Sequence, residues 1–236
     1  MSIHEGSWAP GTPCWVDITV PDLARSQEFY RAVLGWEFTE SSAEFGGYTT
    51  ALLNGRGAAG MSPPMPVAEP APTFWTVYLA TADSAASEAA ITAAGGQVVF
   101  PSMAVGDLGS MGIYADPTGA IFGTWQSGAH TGFDVANEPG AVAWCEGMVG
   151  DFEAGKGFYA QSFGYTYTDA TFQSEFYTVS SHNSSADFNQ NSRSAGDRYV
   201  LGQRLLPSPT AALNKGYGTY RMIHVMPGAR MPGIAA

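Results

Sequence analysis

The sequence predicts an α+β protein made of two tandem domains, each assembled from two β-α-β-β-β units. Three observations carry that prediction. Residues 11–40 recur without a gap at residues 140–169, at a constant offset of 129. Each copy opens with a strand-like run followed by a helix that has its own start and stop signals. The same order of elements then returns inside the first copy, after a proline-crowded connector. A period of 129 residues is too long for a solenoid repeat, so the duplicated unit is a domain.

Within the repeat, Gly11/Gly140, Trp15/Trp144, Asp22/Asp151, Phe29/Phe158, Tyr30/Tyr159 and Gly35/Gly164 are identical pairs, and Asp17/Glu146 keep an acid. Residues 14–20 alternate as a strand does, and Pro21-Asp22 ends the run with Asp22 placed to cap a helix. Phe29, Tyr30, Val33 and Leu34 fall at helical spacing, and Gly35 supplies the stop. Strands are predicted over residues 36–40, 48–53 and 58–61, with Asn54-Gly55 as a hairpin turn. Residues 61–72 contain Pro63, Pro64, Pro66, Pro70 and Pro72 and read as an extended connector. A strand over 74–81, a helix over 83–94 stopped by Gly95-Gly96, and strands over 97–100 and 111–115 follow. Asp116-Pro117-Thr118-Gly119 has the composition of a type I turn, and residues 120–125 close the unit.

The domain boundaries drawn from this pattern are a tail at 1–10, a first domain at 11–126, a linker at 127–139 and a second domain at 140–236. In the second domain Tyr177-Thr178 keeps the 129-residue offset from Tyr48-Thr49. Beyond it, shrinking offsets match Tyr199 to Trp75, Gly218 to Gly96 and Met231 to Met111. The sequence ends at Ala236, where the counterpart of the Asp116 turn would follow. The second domain is therefore expected to be truncated, without a closing strand and with one edge open. Residues 182–197 are polar and poor in strand formers.

The 236 residues are 45% hydrophobic and 13% charged, which favours packed domains over disorder. No apolar run reaches the ~20 residues of a membrane helix, and the N-terminus lacks the features of a secretory signal. Cys14 and Cys145 are not equivalent in the repeat and read as small buried hydrophobes, so a cytoplasmic location is expected. The net charge of −11 is uneven. Residues 1–136 hold three arginines against thirteen acids. Nucleic acid and anionic membranes are thereby disfavoured as partners. A nucleophile elbow and a phosphate-binding glycine loop are both absent from the sequence.

Val20-Pro21-Asp22-Leu23, Ser26, Phe29-Tyr30, Leu34-Gly35-Trp36, Ala93-Ala94-Gly95-Gly96 and Asp116-Pro117-Thr118-Gly119-Ala120 form a set of motifs. Their order and spacing resemble the vicinal oxygen chelate superfamily: glyoxalases, bleomycin-resistance proteins and extradiol dioxygenases. The whole chain is most similar to the two-domain glyoxalase-like members. The resemblance implies that paired units curl a mixed sheet around a cup. In metal-using members, first and last strands supply His, Gln or Glu to a divalent ion. The corresponding first-strand position is Trp15, and again Trp144; the second unit offers Thr76, and the closing strand Gly123. None is a metal donor. His4 and His130 fall in the tail and linker, His182 opens the polar segment, and only His224 lies near a predicted strand. Neither a metal nor another cofactor is expected.

Trp15, Asp17, Trp75 and Trp125 are the candidate ligand-binding residues of the first cup, and Trp144 and Glu146 those of the second. Asp17 shares a strand face with Trp15, so an acid beside an aromatic wall could hold a cation or act as a base. Packing alone would equally explain a duplicated tryptophan. Trp75 and its neighbour Thr76 face opposite ways, so only one of them lines the cup; Tyr78 is a further candidate. No catalytic residue is assigned. The expected function is metal-free binding of a small, partly aromatic organic molecule. The alternatives are a metal-dependent lyase, isomerase or dioxygenase of the same superfamily, and an interaction protein using the open edge of the second domain. A second copy of the chain is a candidate partner.

Overall fold

An eight-stranded sheet forms the frame of the first half of the chain. The computed structural model describes residues 2–64, 73–172, 175–182, 201–205 and 220–223. The first unit runs β2 (Pro13–Thr19), α1 (Leu23–Leu34), β3 (Glu37–Phe38), β4 (Thr49–Leu53) and β5 (Arg56–Ser62), after a short β1 (Ser2–Ile3). The second repeats that order as β6 (Trp75–Thr81), α2 (Ser84–Ala93), β7 (Gln97–Val105), β8 (Gly109–Ala115) and β9 (Ile121–Ser127). The sheet order is β3-β4-β5-β2-β6-β9-β8-β7. In each unit the first strand lies parallel to the last, β2 with β5 and β6 with β9. An antiparallel pairing of β2 with β6 joins the two units at the centre.

The helices start and stop where the sequence signals stand. The Asp22 and Asp83 side chains accept from the backbone N–H of Arg25 and Ala86, and Gly35 ends α1 in a left-handed conformation. Strand alternation sorts β2 into two faces. Val16, Ile18 and Val20 turn to the helix side, where Ile18 and Val20 cluster with Met61, Tyr30 and Trp75. Trp15 and Asp17 turn to the concave side.

The chain continues through β10 (Val135–Ala136), β11 (Trp144–Val149), α3 (Phe152–Phe163), β12 (Tyr165–Phe172), β13 (Glu175–His182), β14 (Leu201–Leu205) and β15 (Tyr220–Ile223). A second sheet, β12-β13-β14-β11-β15, has the order of β3-β4-β5-β2-β6. Glu146 stands opposite Gly202 in a parallel pair as Asp17 stands opposite Gly60. This corrects the matching drawn from sequence beyond residue 178. Residues 201–205 occupy the place of β5, not of β6, and the place of β6 is taken by Tyr220–Ile223. The offset grows, from 129 to 142 at Gly60/Gly202, because many more residues separate β13 from β14 than β4 from β5. The polar residues 183–197 and most of the proline connector lie outside the described residues.

The tail and linker are not loose connections. Ser2–Ile3 pairs antiparallel with Val135–Ala136, Phe133 N–H donates to Cys14 O, and Gly57 N–H donates to the Asp134 carboxylate. Gly132 at φ +108° has no room for a side chain: a Cβ would lie 2.4 Å from Cys14 O.

Aromatic packing joins α3 to the helix side of the first sheet. Phe158, Tyr159 and Phe163 surround Phe122 with ring centroids 5.7–5.9 Å away. Trp36 Nε1 donates to Gly140 O at 2.6 Å, and the Tyr165 hydroxyl donates to Gly11 O. Buried Asp116 accepts from Thr118 N–H, Thr118 Oγ1 and Ala120 N–H on one oxygen and from Tyr159 Oη on the other. Its turn role, expected from sequence, therefore extends to tying the seam. Asp116→Ala orphans these donors and is expected to cost about 2–3 kcal/mol, against about 1 kcal/mol for Tyr159→Phe. Urea denaturation of both variants checks this; equal losses would mean that the turn bonds contribute nothing.

Candidate functional site

The concave face is built around Asp17. Across the β2–β6 pairing Trp15 stands opposite Tyr78 and Asp17 opposite Thr76; across the parallel pairing Asp17 stands opposite Gly60. Tyr48, just before β4, reaches over Gly60. A Cβ on Gly60 would fall 1.7 Å from the Tyr48 hydroxyl and 3.0 Å from Asp17 Cβ, so only glycine admits this arrangement. Gly123 plays the same part on the other side, where a Cβ would sit 2.3 Å from the Tyr78 ring. The position that the family resemblance assigns to a closing-strand ligand is thus a gap filled by Tyr78.

The hydrogen bonds run in one direction. Trp15 Nε1 donates to Tyr48 Oη at 2.8 Å, and the Tyr48 hydroxyl interacts with the Asp17 carboxylate. Tyr78 Oη donates to Asp17 Oδ2 at 3.0 Å. Burial is the dominant influence on Asp17 and pushes its carboxyl up to about 7, against the opposing pull of the two tyrosines. Both tyrosine hydroxyls are held well above their ordinary range, by burial first and then by the neighbouring Asp17 charge. Asp17 and Thr76 still keep partial exposure toward the concave side. The carboxyl is therefore desolvated on a residue that is only partly covered.

Among the sequence-predicted residues, Trp15 and Asp17 come together with Tyr78. Trp125 lies on the same face, with Nε1 donating to His130 O at 2.9 Å. Trp75 does not belong there. It packs edge-on against Tyr30 and Trp36 at 5.7 and 6.2 Å on the helix side, because strand alternation turns its neighbour Thr76 inward instead. Trp144 and Glu146 occupy the equivalent register on β11, Glu146 opposite Arg221 where Asp17 faces Thr76.

Sequence reasoning passed over two residues. His130, assigned to the linker, stands edge-on to Trp15 at 4.5 Å and to Trp125 at 5.4 Å; burial lowers its pKa and nearby Asp134 opposes that. No local pattern in the sequence announces this contact. Tyr48 did leave a signal, the recurrence of Tyr-Thr at residues 177–178. His182 ends β13, and His224 lies outside the described residues.

The donors do not suit a bound metal ion. An indole N–H engaged with Tyr48 offers no lone pair, Gly123 offers no side chain, and Asp17 is a single carboxyl among phenols. Among the described residues no group of three or more His, Cys, Asp and Glu side chains could hold a metal. No helix there is long and apolar enough to cross a membrane.

Comparison with known proteins agrees with the fold. Residues 14–123 match the model of the Glyoxalase/Bleomycin resistance protein/Dioxygenase superfamily. The chain is 37% identical over 170 residues to the anthracycline biosynthesis protein DauV of Streptomyces sp. (strain C5), covering 66% of this chain and 62% of that protein. It is 35% identical over 161 residues to the putative glyoxylase CFP32 of Mycobacterium tuberculosis, covering 67% and 62%. The chain thus spans less than two thirds of these relatives. The Mn(II)-bound glyoxalase of Novosphingobium aromaticivorans superposes with a TM-score of 0.58 at 15% identity, over 84% of this chain and 62% of that one. A variant of homoprotocatechuate 2,3-dioxygenase from B. fuscum gives 0.55 at 15% identity, over 84% and 54%.

Asp17 makes a prediction about stability. Its folded pKa, about 7, lies above the ordinary 3.8, so between about pH 4 and pH 7 the folded state keeps a proton that the unfolded chain has lost. Stability contributed by this group is full below that window and declines as pH rises through it. Asp17→Asn should therefore stabilise the protein at pH 8, relative to its effect at pH 4, by about 2–4 kcal/mol. Denaturation curves for both proteins at the two pH values check this; an effect independent of pH would refute the raised pKa. Tyr78→Phe removes a donor to the carboxylate and should move the Asp17 carbon-13 titration further upward.

Proposed function

We propose, for a chain whose residues 14–123 belong to the glyoxalase/bleomycin resistance protein/dioxygenase superfamily, that its first cup binds a small, partly aromatic organic molecule without a metal. The observation that carries this reading is the replacement of metal donors by an aromatic set. Trp15 stands at the first-strand ligand position, Tyr78 fills the space over Gly123, and one desolvated carboxyl remains at the centre. Such a surface offers flat apolar area for stacking with a few placed polar groups, which suits a small aromatic ligand. The naming of a relative for anthracycline biosynthesis is in keeping with a ligand of that kind.

The second sheet supports a tandem arrangement within this reading. Its strand order repeats that of the first sheet, and its register sets Trp144 and Glu146 where Trp15 and Asp17 stand. A metal-dependent lyase, isomerase or dioxygenase would need donors that these positions do not carry. The protein acts inside the cell on this reading, as its reduced cysteines suit.

Two measurements test the proposal. Elemental analysis after exposure to Zn, Mn, Ni and Fe(II) should show well below one equivalent retained per chain; stoichiometric retention would bring the metal-dependent reading forward. A screen of aromatic compounds, read by tryptophan fluorescence, should yield saturable binders. Thr76→Phe, which fills the cup opposite Asp17, should weaken those binders at least about tenfold, or about 1.4 kcal/mol. Trp75→Phe, on the other face, should leave their affinity unchanged. Equal sensitivity at both positions would place binding elsewhere.

A further inference from the structure

We propose that the group recognised at the floor of the first cup is a cation: the ligand carries a protonated amine or quaternary ammonium that pairs with Asp17 inside the cage of Trp15, Tyr48 and Tyr78. The inference rests on the cup-binding reading above and names the chemistry of its ligand.

Direction of hydrogen bonding is the first argument. Trp15 Nε1 donates into the Tyr48 oxygen, which leaves the Tyr48 proton free for Asp17, and Tyr78 donates from the other side. Hydroxyl donors thus meet the carboxyl from two sides and favour its ionised form, in opposition to burial.

The second argument is the missing countercharge. A buried carboxylate is costly unless it is paired. Asp17 makes no ion pair among the described residues, and the groups that influence it are Tyr78 and Tyr48 alone. The facing strands contribute Gly60 from β5 and Thr76 from β6, neither of them titratable. From the linker, His130 meets the Trp15 ring; burial lowers its pKa, and its charged neighbour is Asp134. Of the three arginines in residues 1–136, Arg25 and Arg31 ride on α1, on the far side of the sheet, and Arg31 lies over Phe38. Arg56 begins β5 at the hairpin, four residues from Gly60. Among the residues whose side chains are described, none supplies a cation that pairs with Asp17.

The third argument is the wall. An ammonium placed at Asp17 would lie beside the Tyr48 and Tyr78 phenols and the Trp15 indole, aromatic groups of the kind that attract cations. The thirteen acids against three arginines in residues 1–136 add a long-range field of the right sign, attracting cations and repelling anions. An aromatic ligand bearing an amine would satisfy the stacking surface and the carboxylate together.

The test uses the full chain and two probes of one shape, benzyltrimethylammonium and its neutral carbon isostere neopentylbenzene. Calorimetry and tryptophan fluorescence at pH 6 and pH 8 give the affinities. The cation should bind at least about tenfold more tightly than the isostere at pH 8. Its affinity should rise about tenfold from pH 6 to pH 8, as the ionised fraction of Asp17 grows, while the isostere's stays flat. That pH dependence should persist in His130→Gln and vanish in Asp17→Asn, together with the preference for the cation. Without any variant, saturating cation should lower the Asp17 carbon-13 titration midpoint. Equal affinities for both probes at pH 8, cation binding that ignores pH, or an unmoved Asp17 midpoint would each overturn the cation assignment while leaving the cup a binding site. Failure of both probes to bind would overturn the cup-binding reading itself.

Discussion

The pairing of β2 with β6 is the constraint on which the remaining structure depends. Among the described residues it is the one strand pairing between the two β-α-β-β-β units of the first sheet, and it places β2 between a parallel neighbour, β5, and an antiparallel one. A strand hydrogen-bonded on both edges has no freedom of register, since a slip by one residue would exchange its two faces. Val16 and Ile18 are therefore held under the helices, and Trp15 and Asp17 on the concave side. Every feature of the candidate site follows from that division.

The energetic character of the site comes from one desolvated group. Burial raises the Asp17 carboxyl to about 7, and the tyrosines that donate to it only partly offset the cost. Evolution could remove that cost with a neutral side chain. Instead, Gly60 and Gly123 give up side chains so that Tyr48 and Tyr78 can approach, a local sacrifice of packing that serves the carboxyl and not the core. Desolvated titratable groups of this sort collect where proteins act on other molecules.

Specific contacts join α3 and its neighbours to the first sheet. Asp116, on the turn before β9, holds its own loop with one oxygen and Tyr159 of α3 with the other. Tyr159 is the repeat partner of Tyr30, which instead stacks on Trp36. One duplicated tyrosine thus serves two purposes, an internal contact in the first copy and a contact between copies in the second.

Much of this was legible in the sequence. Asp22, Asp83 and Asp151 cap helices because a short acceptor before an apolar stripe satisfies free backbone donors, a local matter that needs no tertiary context. Gly35 and Gly164 stop helices for an equally local reason. Alternation limited Trp75 and Thr76 to opposite faces. Which of the two lines the cup was beyond sequence, because alternation defines faces without saying which one the helices cover. The same holds for His130, brought to Trp15 by a linker that folds back beside β2, and for β14, whose place beside β11 depends on pairing across a long intervening segment. Local chemistry determined the elements, their caps and their order. Only the tertiary structure decided which side chains meet, since those contacts join residues as distant as Trp15 and His130, and the energy that favours them exists only once the sheet has closed around them.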